Sequence, residues 1–359
     1  MINFPKTPIY RLSNQQIANT KFETAKELVN WMGAMQAQDY QMAKWAIGLR
    51  LPHATDQLIE SAFNRGEILR THLMRPTWHF VSADDIHWIL ELTAPQIKSQ
   101  TKARQKELEL TNDKLPSLYT ILEKALTEEE FMTRDEISEI LQQNGISMNS
   151  SRSYHLMLQA ELDGLICSGI VKGKEQTHAL LDRRVPNHKS ITKEEALAEL
   201  GKRYFSSHGP ATIPDFAWWS GLSLSMAKRV VEINKPSLSS ELSDGNTYWF
   251  ATDQSASLIQ ESVFLLPAFD EYLISYRNRS AVITDENHQR AISFNGVFRP
   301  VIVTNGLISG LWKRTVKKDK ILLETSLFRE HESKELMKIK QAVESFGMFL
   351  KKEIVFKTT

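Results

Sequence analysis

The 359-residue sequence contains a single cysteine, Cys167, and no long apolar run. One cysteine excludes an internal disulfide, and the apolar stretch around Cys167 predicts a buried thiol rather than a nucleophile. No segment approaches the roughly 18–20 apolar residues that a membrane-spanning helix needs, and the N-terminus lacks the apolar core of a signal peptide. We therefore expect a cytoplasmic protein that does not contact a membrane.

The sequence also lacks a strong excess of charge of either sign. It has 44 Lys and Arg residues against 43 Asp and Glu residues, which gives a net charge of +1. Proteins that bind DNA across a wide face usually carry more positive charge, so the composition gives no support to nucleic-acid binding. Any prediction of a DNA-binding function therefore depends on local patterns alone.

Motifs for metal and nucleotide chemistry are missing as well. The ten histidines include no His-x-x-x-His or His-Glu-x-x-His pair. No Gly-x-x-x-x-Gly-Lys-Ser/Thr or Gly-x-Gly-x-x-Gly loop is present. We therefore predict a protein that uses neither a metal nor a cofactor.

The first two-thirds of the sequence repeats one order of elements three times, namely helices followed by a pair of strands. In the first repeat, Thr24-Ala-Lys-Glu27 is typical of a capping box that opens a helix, and a break follows at Gln36–Asp39. A further helix at Asp56–Asn64 leads to a predicted hairpin of Glu67–His72 and Pro76–Val81.

In the second repeat, Pro116–Leu126 and Ser150–Asp163 are predicted helices on either side of a third. A strand, the basic turn Lys172-Gly-Lys-Glu175 and a second strand follow, which is the arrangement of a wing. Lysines on such a turn can contact phosphates, so Lys172 and Lys174 are candidate DNA-binding residues.

In the third repeat, Thr212 caps a helix, and Gly221 supplies the permissive backbone needed between two steeply crossing helices. We predict that the second of these helices ends at Lys228 and Arg229, which are further candidates for phosphate contacts. A hairpin with an Asp244-Gly245 turn completes the repeat.

After about residue 255, short β-rich segments take over, separated by turns such as Asn295-Gly296 and Asn305-Gly306. They include a predicted strand at Ser280–Ile283, and the helix Lys334–Phe346 precedes a last strand. The sequence thus predicts an α+β protein with three tandem winged helix–turn–helix units and a small antiparallel β-barrel-like domain. The expected domain boundaries are 1–110, 111–188, 189–254 and 255–359.

The motif Gln36-Ala37-Gln38 lies at the predicted break between two helices. Side chains two residues apart lie on the same side of an extended segment, so both amides can converge on one point. Paired amides are not a strong base, but they can orient a water molecule, and their carbonyl dipoles can stabilise a developing cation. Such a site suits a reaction with a good leaving group, for example a cationic N7-alkylated guanine. The alternative is that the glutamines cap helix ends or face solvent.

Segments along most of the chain resemble, in the same order, those of the AlkZ/YcaQ family of bacterial winged-helix DNA glycosylases. These segments are Met35–Asp39, Trp45–Arg50, Leu73–Val81, Asp215–Leu222, Leu265–Tyr272, Tyr276–Ser280, Val297–Pro300 and Gly306–Trp312. The resemblance implies three tandem winged helices and a C-terminal β-barrel that together form a concave DNA-binding surface. The family's catalytic motif is a glutamine, an apolar residue, and a glutamine or aspartate, which assigns catalysis to Gln36 and Gln38.

By this resemblance the protein is a monofunctional DNA repair glycosylase that excises cationic N7-alkylated purines and can unhook interstrand crosslinks. Its partner is then damaged double-stranded DNA, and we expect it to act as a monomer. The alternative is a non-enzymatic winged-helix protein with a regulatory or architectural role. The near-neutral charge and the lack of an obvious dimerisation helix argue against a regulator of palindromic operators.

Two further candidates lie in the family-like segment Leu73–Val81. Arg75 is a candidate DNA contact. His79 can either contact a phosphate or the lesion, or hydrogen-bond within the fold. Asp39 is expected to cap the helix that follows it.

Two other groups of residues are expected to be structural. Asp270 and Glu271 are expected to form an ion-pair cluster with Arg277 and Arg279. The tryptophans that could stack on bases are instead expected to lie in the core, because they have apolar neighbours at helical spacing. They are Trp45, Trp78, Trp218 and Trp219.

Overall fold

The computed structural model of the protein describes residues 6–187, 190–252, 261–330 and 332–358. Its first group of elements follows the predicted order. The elements are α1 (Thr7–Asn14), α2 (Ala25–Met32), β1 (Met35–Gln36), α3 (Tyr40–Gly48), α4 (Asp56–Asn64), β2 (Ile68–Leu73) and β3 (Thr77–Ser82). The capping box of Thr24 and Glu27 at the start of α2 is confirmed. Strand β1 pairs antiparallel with β3, which forms a sheet of order β1-β3-β2.

A 22-residue helix, α5 (Ile86–Glu107), which the sequence did not lead us to predict, connects this group to the second. The second group again has the predicted order of helices and a strand pair. It consists of α6 (Leu115–Glu128), β4 (Met132–Thr133), α7 (Arg134–Gln143), α8 (Ser150–Leu162), β5 (Ile166–Lys172), β6 (Glu175–Leu180) and the short α9 (Leu181–Arg184). Its sheet has the order β4-β6-β5, as in the first group.

The third group consists of α10 (Lys193–Ser207), α11 (Ile213–Ser220), α12 (Leu224–Asn234), β7 (Leu238–Ser243) and β8 (Asn246–Ala251). Gly221, between α11 and α12, has φ +71°, and a Cβ there would lie 2.0 Å from the Met74 carbonyl oxygen. Backbone conformation and close packing therefore both require glycine at this turn. The prediction that α12 ends at Lys228 and Arg229 is wrong, because Val230 and Val231 continue its buried face.

The C-terminal part contains a curled five-stranded sheet with the order β13-β12-β11-β10-β9. Its elements are β9 (Val263–Leu266), α13 (Glu271–Ile274), α14 (Asp285–Ala291), β10 (Val301–Thr304), β11 (Leu307–Val316), β12 (Lys320–Leu327), α15 (Ser333–Leu350) and β13 (Glu353–Thr358). Strands β12 and β13 pair in parallel and the other neighbours are antiparallel. The α+β class is confirmed.

One predicted strand of this part, Ser280–Ile283, is wrong. The backbone N–H groups of Val282 and Ile283 both donate to the Arg279 carbonyl, which makes a turn before α14. Both side chains are nevertheless buried. A pair of apolar residues in sequence does not distinguish a buried turn from a strand, since both place apolar side chains in the core.

Two hydrophobic cores meet at the segment between α2 and α3. One core joins the first group to the C-terminal sheet, where Trp45 of α3 packs against Phe346 of α15 with ring centroids 5.1 Å apart. The other joins the first hairpin and α5 to helices α10–α12. Ala34 belongs to this second core, whereas Met35 and Ala37 belong to the first. The glutamine motif therefore lies along the boundary between the two cores.

The predicted burial of Cys167 is confirmed. Its side chain is fully buried, and this burial raises the pKa of the thiol to about 12, so it stays protonated near neutral pH. Separately, no helix within residues 6–187, 190–252, 261–330 and 332–358 combines the length and the apolar character required to cross a membrane.

Candidate active site

The Gln36-Ala37-Gln38 motif lies in the connection from α2 to α3, at the predicted break, and runs from the end of β1 into a bend. Gln36 pairs with His79 in the antiparallel ladder between β1 and β3. The Ala37 N–H donates to the Trp78 carbonyl at 2.7 Å, which fixes the backbone of the motif. Gln36 is only 6% exposed, whereas Gln38 is exposed. The two glutamines therefore lie in different environments.

The Gln36 amide is held by Arg75, whose Nη2 donates to Gln36 Oε1 at 2.8 Å. A guanidinium can only donate hydrogen bonds, so the amide carbonyl must face Arg75 and the NH₂ group must point away from it. The expectation that both glutamines offer carbonyl dipoles to a developing cation stays a prediction, and the Gln36 carbonyl already accepts one hydrogen bond from Arg75. The NH₂ group of Gln36 provides two donors in addition.

Gln38 keeps its carbonyl free. Among the residues that the structure describes, its side chain makes no hydrogen bond. The next residue, Asp39, caps α3 by accepting a hydrogen bond from the Met42 N–H at 3.1 Å, as predicted. The cap orders the backbone directly after Gln38 and leaves the Gln38 amide able to bind water.

A buried carboxylate lies behind the motif, on a residue 235 positions away in sequence. Glu271 Oε1 accepts a hydrogen bond from the Gln36 N–H at 2.5 Å. Its Oε2 accepts hydrogen bonds from Trp219 Nε1 at 3.2 Å and from the Ser275 hydroxyl, and it lies 3.7 Å from His208 Nε2. Glu271 is therefore a direct support of the Gln36 backbone.

The Glu271 carboxyl is ionised at neutral pH. Burial by itself raises its pKa, but the nearby His208 ring and the hydrogen bonds from Ser275 and Gln36 lower the pKa to about 2. A buried negative charge with satisfied hydrogen bonds produces a strong local field, because little water screens it. This field lies next to the residue that positions the motif.

The expected cluster of Asp270 and Glu271 with Arg277 and Arg279 is wrong. Asp270 instead forms a bidentate ion pair with Arg50, with both N···O distances 2.8 Å and both side chains fully buried. The apolar residues around the acidic pair, Leu265-Leu-Pro-Ala-Phe and Tyr272, were a signal of burial in the sequence. They could not show which distant residues the two carboxylates meet.

Arg75 and His79, both predicted as DNA contacts, lie beside Gln36. Burial lowers the pKa of Arg75, and its guanidinium carbon lies 5.8 Å from the centre of the Trp218 ring. His79 is fully buried, with Nδ1 2.9 Å from the Thr77 carbonyl oxygen. Burial, together with the charge of Arg75, lowers the His79 pKa to about 3, so the ring is neutral. We therefore expect His79 to support the fold of the site rather than to contact DNA.

Trp218 is exposed, and its predicted place in the core is wrong. Neighbouring residues of a helix point about 100° apart, so on α11 the buried Trp219 and the 41% exposed Trp218 face different ways. Trp218 Nε1 donates to the Ile274 carbonyl at 2.8 Å, and the guanidinium carbon of Arg279 lies 5.4 Å from its ring. An oriented aromatic surface therefore flanks the Gln36–Arg75 pair.

The four other cations predicted to bind DNA lie on two parts of the fold, the β5–β6 hairpin and α12. Lys172 donates to Glu129 at 3.0 Å, and Arg229 donates to Glu194 at the same distance. Lys174 and Lys228 are exposed, and neither has an ion pair within the described parts of the chain. They are therefore the more available of the four for phosphate contacts.

Comparison with known proteins agrees with the resemblance drawn from the sequence. The model of the AlkZ-like DNA glycosylase family matches residues 29–349. The solved structure of the Streptomyces sahachiroi DNA glycosylase AlkZ matches with a TM-score of 0.80 and 17% sequence identity, covering 100% of each chain. No curated protein matches the sequence. At this identity the structural likeness shows a shared fold, whereas the family match extends over most of the chain. The chain therefore belongs to the AlkZ-like DNA glycosylase family.

Proposed function

We propose that this glycosylase hydrolyses the glycosidic bond of cationic N7-alkylated purines in duplex DNA and leaves an abasic site. The observation that carries this proposal is the pairing of a free amide, Gln38, with a fixed one, Gln36, beside the buried carboxylate of Glu271. None of these groups is a strong acid or a strong nucleophile. Such a site suits a leaving group that already carries a positive charge.

In the proposed reaction, the oxygen of a water molecule bonds to C1′ as the bond between C1′ and the base breaks. The bonding electron pair returns to the cationic ring, which leaves as a neutral base, and the water loses a proton to solvent. The Gln38 carbonyl accepts a hydrogen bond from the water and orients it, and the Gln36 NH₂ donates to the same region. The Glu271 charge favours the cationic transition state, since positive charge on the sugar develops only there.

Hydrolysis by water predicts a monofunctional enzyme. The hydrogen bonds described for the motif involve Arg75, Arg70, Trp78 and Glu271, and none involves a lysine that could form a Schiff base. The proposal extends to interstrand crosslinks through N7-alkylated bases, since unhooking breaks the same glycosidic bond. We also propose that the three helix and hairpin groups act as winged helices with the boundaries expected from sequence, and that the chain binds DNA as a monomer.

The proposed function is tested with a duplex that carries one N7-methylguanine, incubated with excess protein and scored for abasic sites. We expect base release without strand cleavage, at the same rate with or without a chelator. The motif has no described contact with a lysine, and the residues that the structure describes include no group of His, Cys, Asp and Glu that could hold a metal ion. Strand nicking as the first product, or loss of activity with the chelator, would contradict the mechanism. Tight binding without any base release would favour the non-enzymatic alternative.

Lys172 and Arg229 are ion-paired, whereas Lys174 and Lys228 have no ion pair within the described residues, and this difference predicts how DNA binding depends on salt. Each charge that contacts a phosphate contributes about one unit to the slope of log K against log salt concentration. We expect Lys174→Gln and Lys228→Gln to lower this slope by about one unit each. We expect smaller changes for Lys172→Gln and Arg229→Gln, because Glu129 and Glu194 already neutralise these side chains. Titrations at several salt concentrations measure this, and four unchanged slopes would place the DNA-binding face elsewhere.

A further inference from the structure

The most exposed large hydrophobic side chain in the described ranges is that of Phe294, with a relative exposure of 110%. It lies at the tip of a tight turn, residues 292–298, between α14 and β10. The next most exposed side chain of this kind is Leu242, at 73%. A partner that covers this ring removes apolar surface from water, which is favourable.

The Phe294 turn is ordered by its own hydrogen bonds. The Ser293 N–H donates to the Val297 carbonyl at 3.0 Å, and the Gly296 N–H donates to the Ser293 carbonyl at 2.9 Å. The Ser293 hydroxyl oxygen also accepts from the Val297 N–H at 3.0 Å. Asn295-Gly296 forms the turn, with φ +78° at Gly296. The phenylalanine is thus presented on a short, internally bonded support rather than on a long loop.

The base of the turn is anchored in the protein core. Ile292 and Phe298 form a bridge across it, and both belong to a buried hydrophobic cluster. The Arg299 N–H donates to the Ala291 carbonyl at 2.9 Å, which joins the turn to the end of α14. The turn that carries Phe294 is therefore anchored to the core at both of its ends.

Side-chain contacts connect this base to the candidate active site. The guanidinium carbon of Arg279 lies 4.9 Å from the Phe298 ring and 5.4 Å from the Trp218 ring. Trp218 in turn lies beside Arg75, which holds Gln36. The Phe294 turn and the glutamine motif are thus joined through a continuous row of packed side chains.

The charge around the turn favours DNA as the partner. Residues 277–299 contain four arginines against Asp285 and Glu286, although the whole chain has a net charge of only +1. Arg277 and Arg299 are exposed. Within this turn only Phe294 and Val297 are exposed large apolar residues, a smaller apolar area than a stable protein interface uses. An isolated apolar side chain on a basic support is the arrangement with which proteins wedge open base steps.

We propose that Phe294 inserts between base pairs next to the target nucleotide and holds the duplex open for the glutamine motif. This proposal rests on the proposed function, because it takes duplex DNA as the substrate. Inserting a side chain unstacks a base step, and that cost is offset when the wedge fills the space that the displaced base leaves. The inserted Phe294 side chain thereby makes accessible a target base that would otherwise stay stacked inside the duplex.

The test uses a duplex with 2-aminopurine next to a stable abasic analogue, because 2-aminopurine fluoresces more strongly when it is unstacked. Wild-type protein should raise the fluorescence on binding, and Phe294→Ala should lose most of the rise. Phe294→Ala should also slow single-turnover excision of N7-methylguanine by about 10-fold or more, with an unchanged salt slope because no charge is removed. Phe294→Leu should restore much of both signals. Met348→Ala, which removes another exposed apolar side chain, should behave as wild type.

The experiment separates failure of this proposal from failure of the proposed function. Because the abasic analogue cannot be excised, the fluorescence signal does not require catalysis, and Gln38→Ala should retain it. A fluorescence rise that survives in Phe294→Ala would overturn the wedge even if excision is confirmed. If the protein shows a fluorescence rise that depends on Phe294 but excises no base, the wedge is supported and the proposed function is overturned. A wild-type dimer in sedimentation experiments that Phe294→Ala dissociates would show that a second copy covers the side chain, which also overturns the proposal.

Discussion

Gln38→Ala is expected to slow single-turnover base excision by about 10²–10³, while DNA affinity and thermal stability stay near the wild-type values. Affinity for a polyanion comes from basic side chains, so removing a neutral amide changes it little. Gln38 is exposed and makes no hydrogen bond within the described residues, so its loss leaves no buried group unsatisfied. The amide orients the attacking water and stabilises charge that develops only in the transition state. The variant should therefore lose excision rate rather than DNA affinity.

Related variants sharpen this prediction. Gln38→Asp should retain part of the activity, because the family motif permits aspartate and a carboxylate can also orient water. Gln36→Ala should lose similar or less activity, but it also removes the acceptor for Arg75, at a cost of about 1–3 kcal/mol in stability. Gln341→Ala, at an exposed glutamine on α15, is the control and should have no effect.

These variants are compared by single-turnover excision, a binding titration and a thermal melt. Wild-type excision rates in both Gln36→Ala and Gln38→Ala would show that the site lies elsewhere. Lost affinity in Gln38→Ala, with an unchanged rate for bound DNA, would instead assign this residue to binding.

Glu271→Gln is expected to slow excision by about 10- to 100-fold in protein that still folds. The substitution keeps an oxygen that can accept from the Gln36 N–H but removes the buried negative charge and one acceptor. Ser275, Trp219 and His208 then compete for fewer acceptors, which should lower stability by about 1–3 kcal/mol. Glu271 acts here as a positioning residue, since it reaches the reaction through Gln36 and through its field.

Asp270→Asn provides a matched control from the adjacent residue. Asp270 is equally buried but pairs with Arg50 rather than with the motif. Its loss leaves a buried guanidinium without its counter-charge, so we expect a cost of about 3–5 kcal/mol in stability. Excision by the folded fraction, measured below the melting transition, should change much less than in Glu271→Gln.

The two neighbouring carboxylates should therefore separate rate from stability. The rates are measured with saturating enzyme, so that differences in DNA affinity do not enter them. Equal loss of rate in both variants would mean that Glu271 acts only by holding the fold together. A wild-type excision rate in Glu271→Gln would show that the Glu271 charge plays no part in the mechanism.

Sequence patterns predicted most local structure because the forces involved act over a few residues. The capping box at Thr24, the Gly221 turn and the Asn305-Gly306 turn all follow from hydrogen bonds and backbone conformation within four residues. The errors arose where burial overrode such local signals. Val230 and Val231 extend α12 beyond its predicted end, and Val282 and Ile283 lie in a buried turn instead of a strand.

By itself, the sequence determined the family, the α+β class and the position of the glutamine motif, since these depend on residue order and spacing. Only the tertiary structure decided how the motif is supported. Arg75 donates a hydrogen bond to the Gln36 carbonyl, and Glu271 reaches the Gln36 backbone from 235 residues away. It also decided that Trp218 and Phe294 are exposed. The physical reason is that side-chain partners and exposure depend on which distant segments pack together, and local residue patterns do not specify that packing.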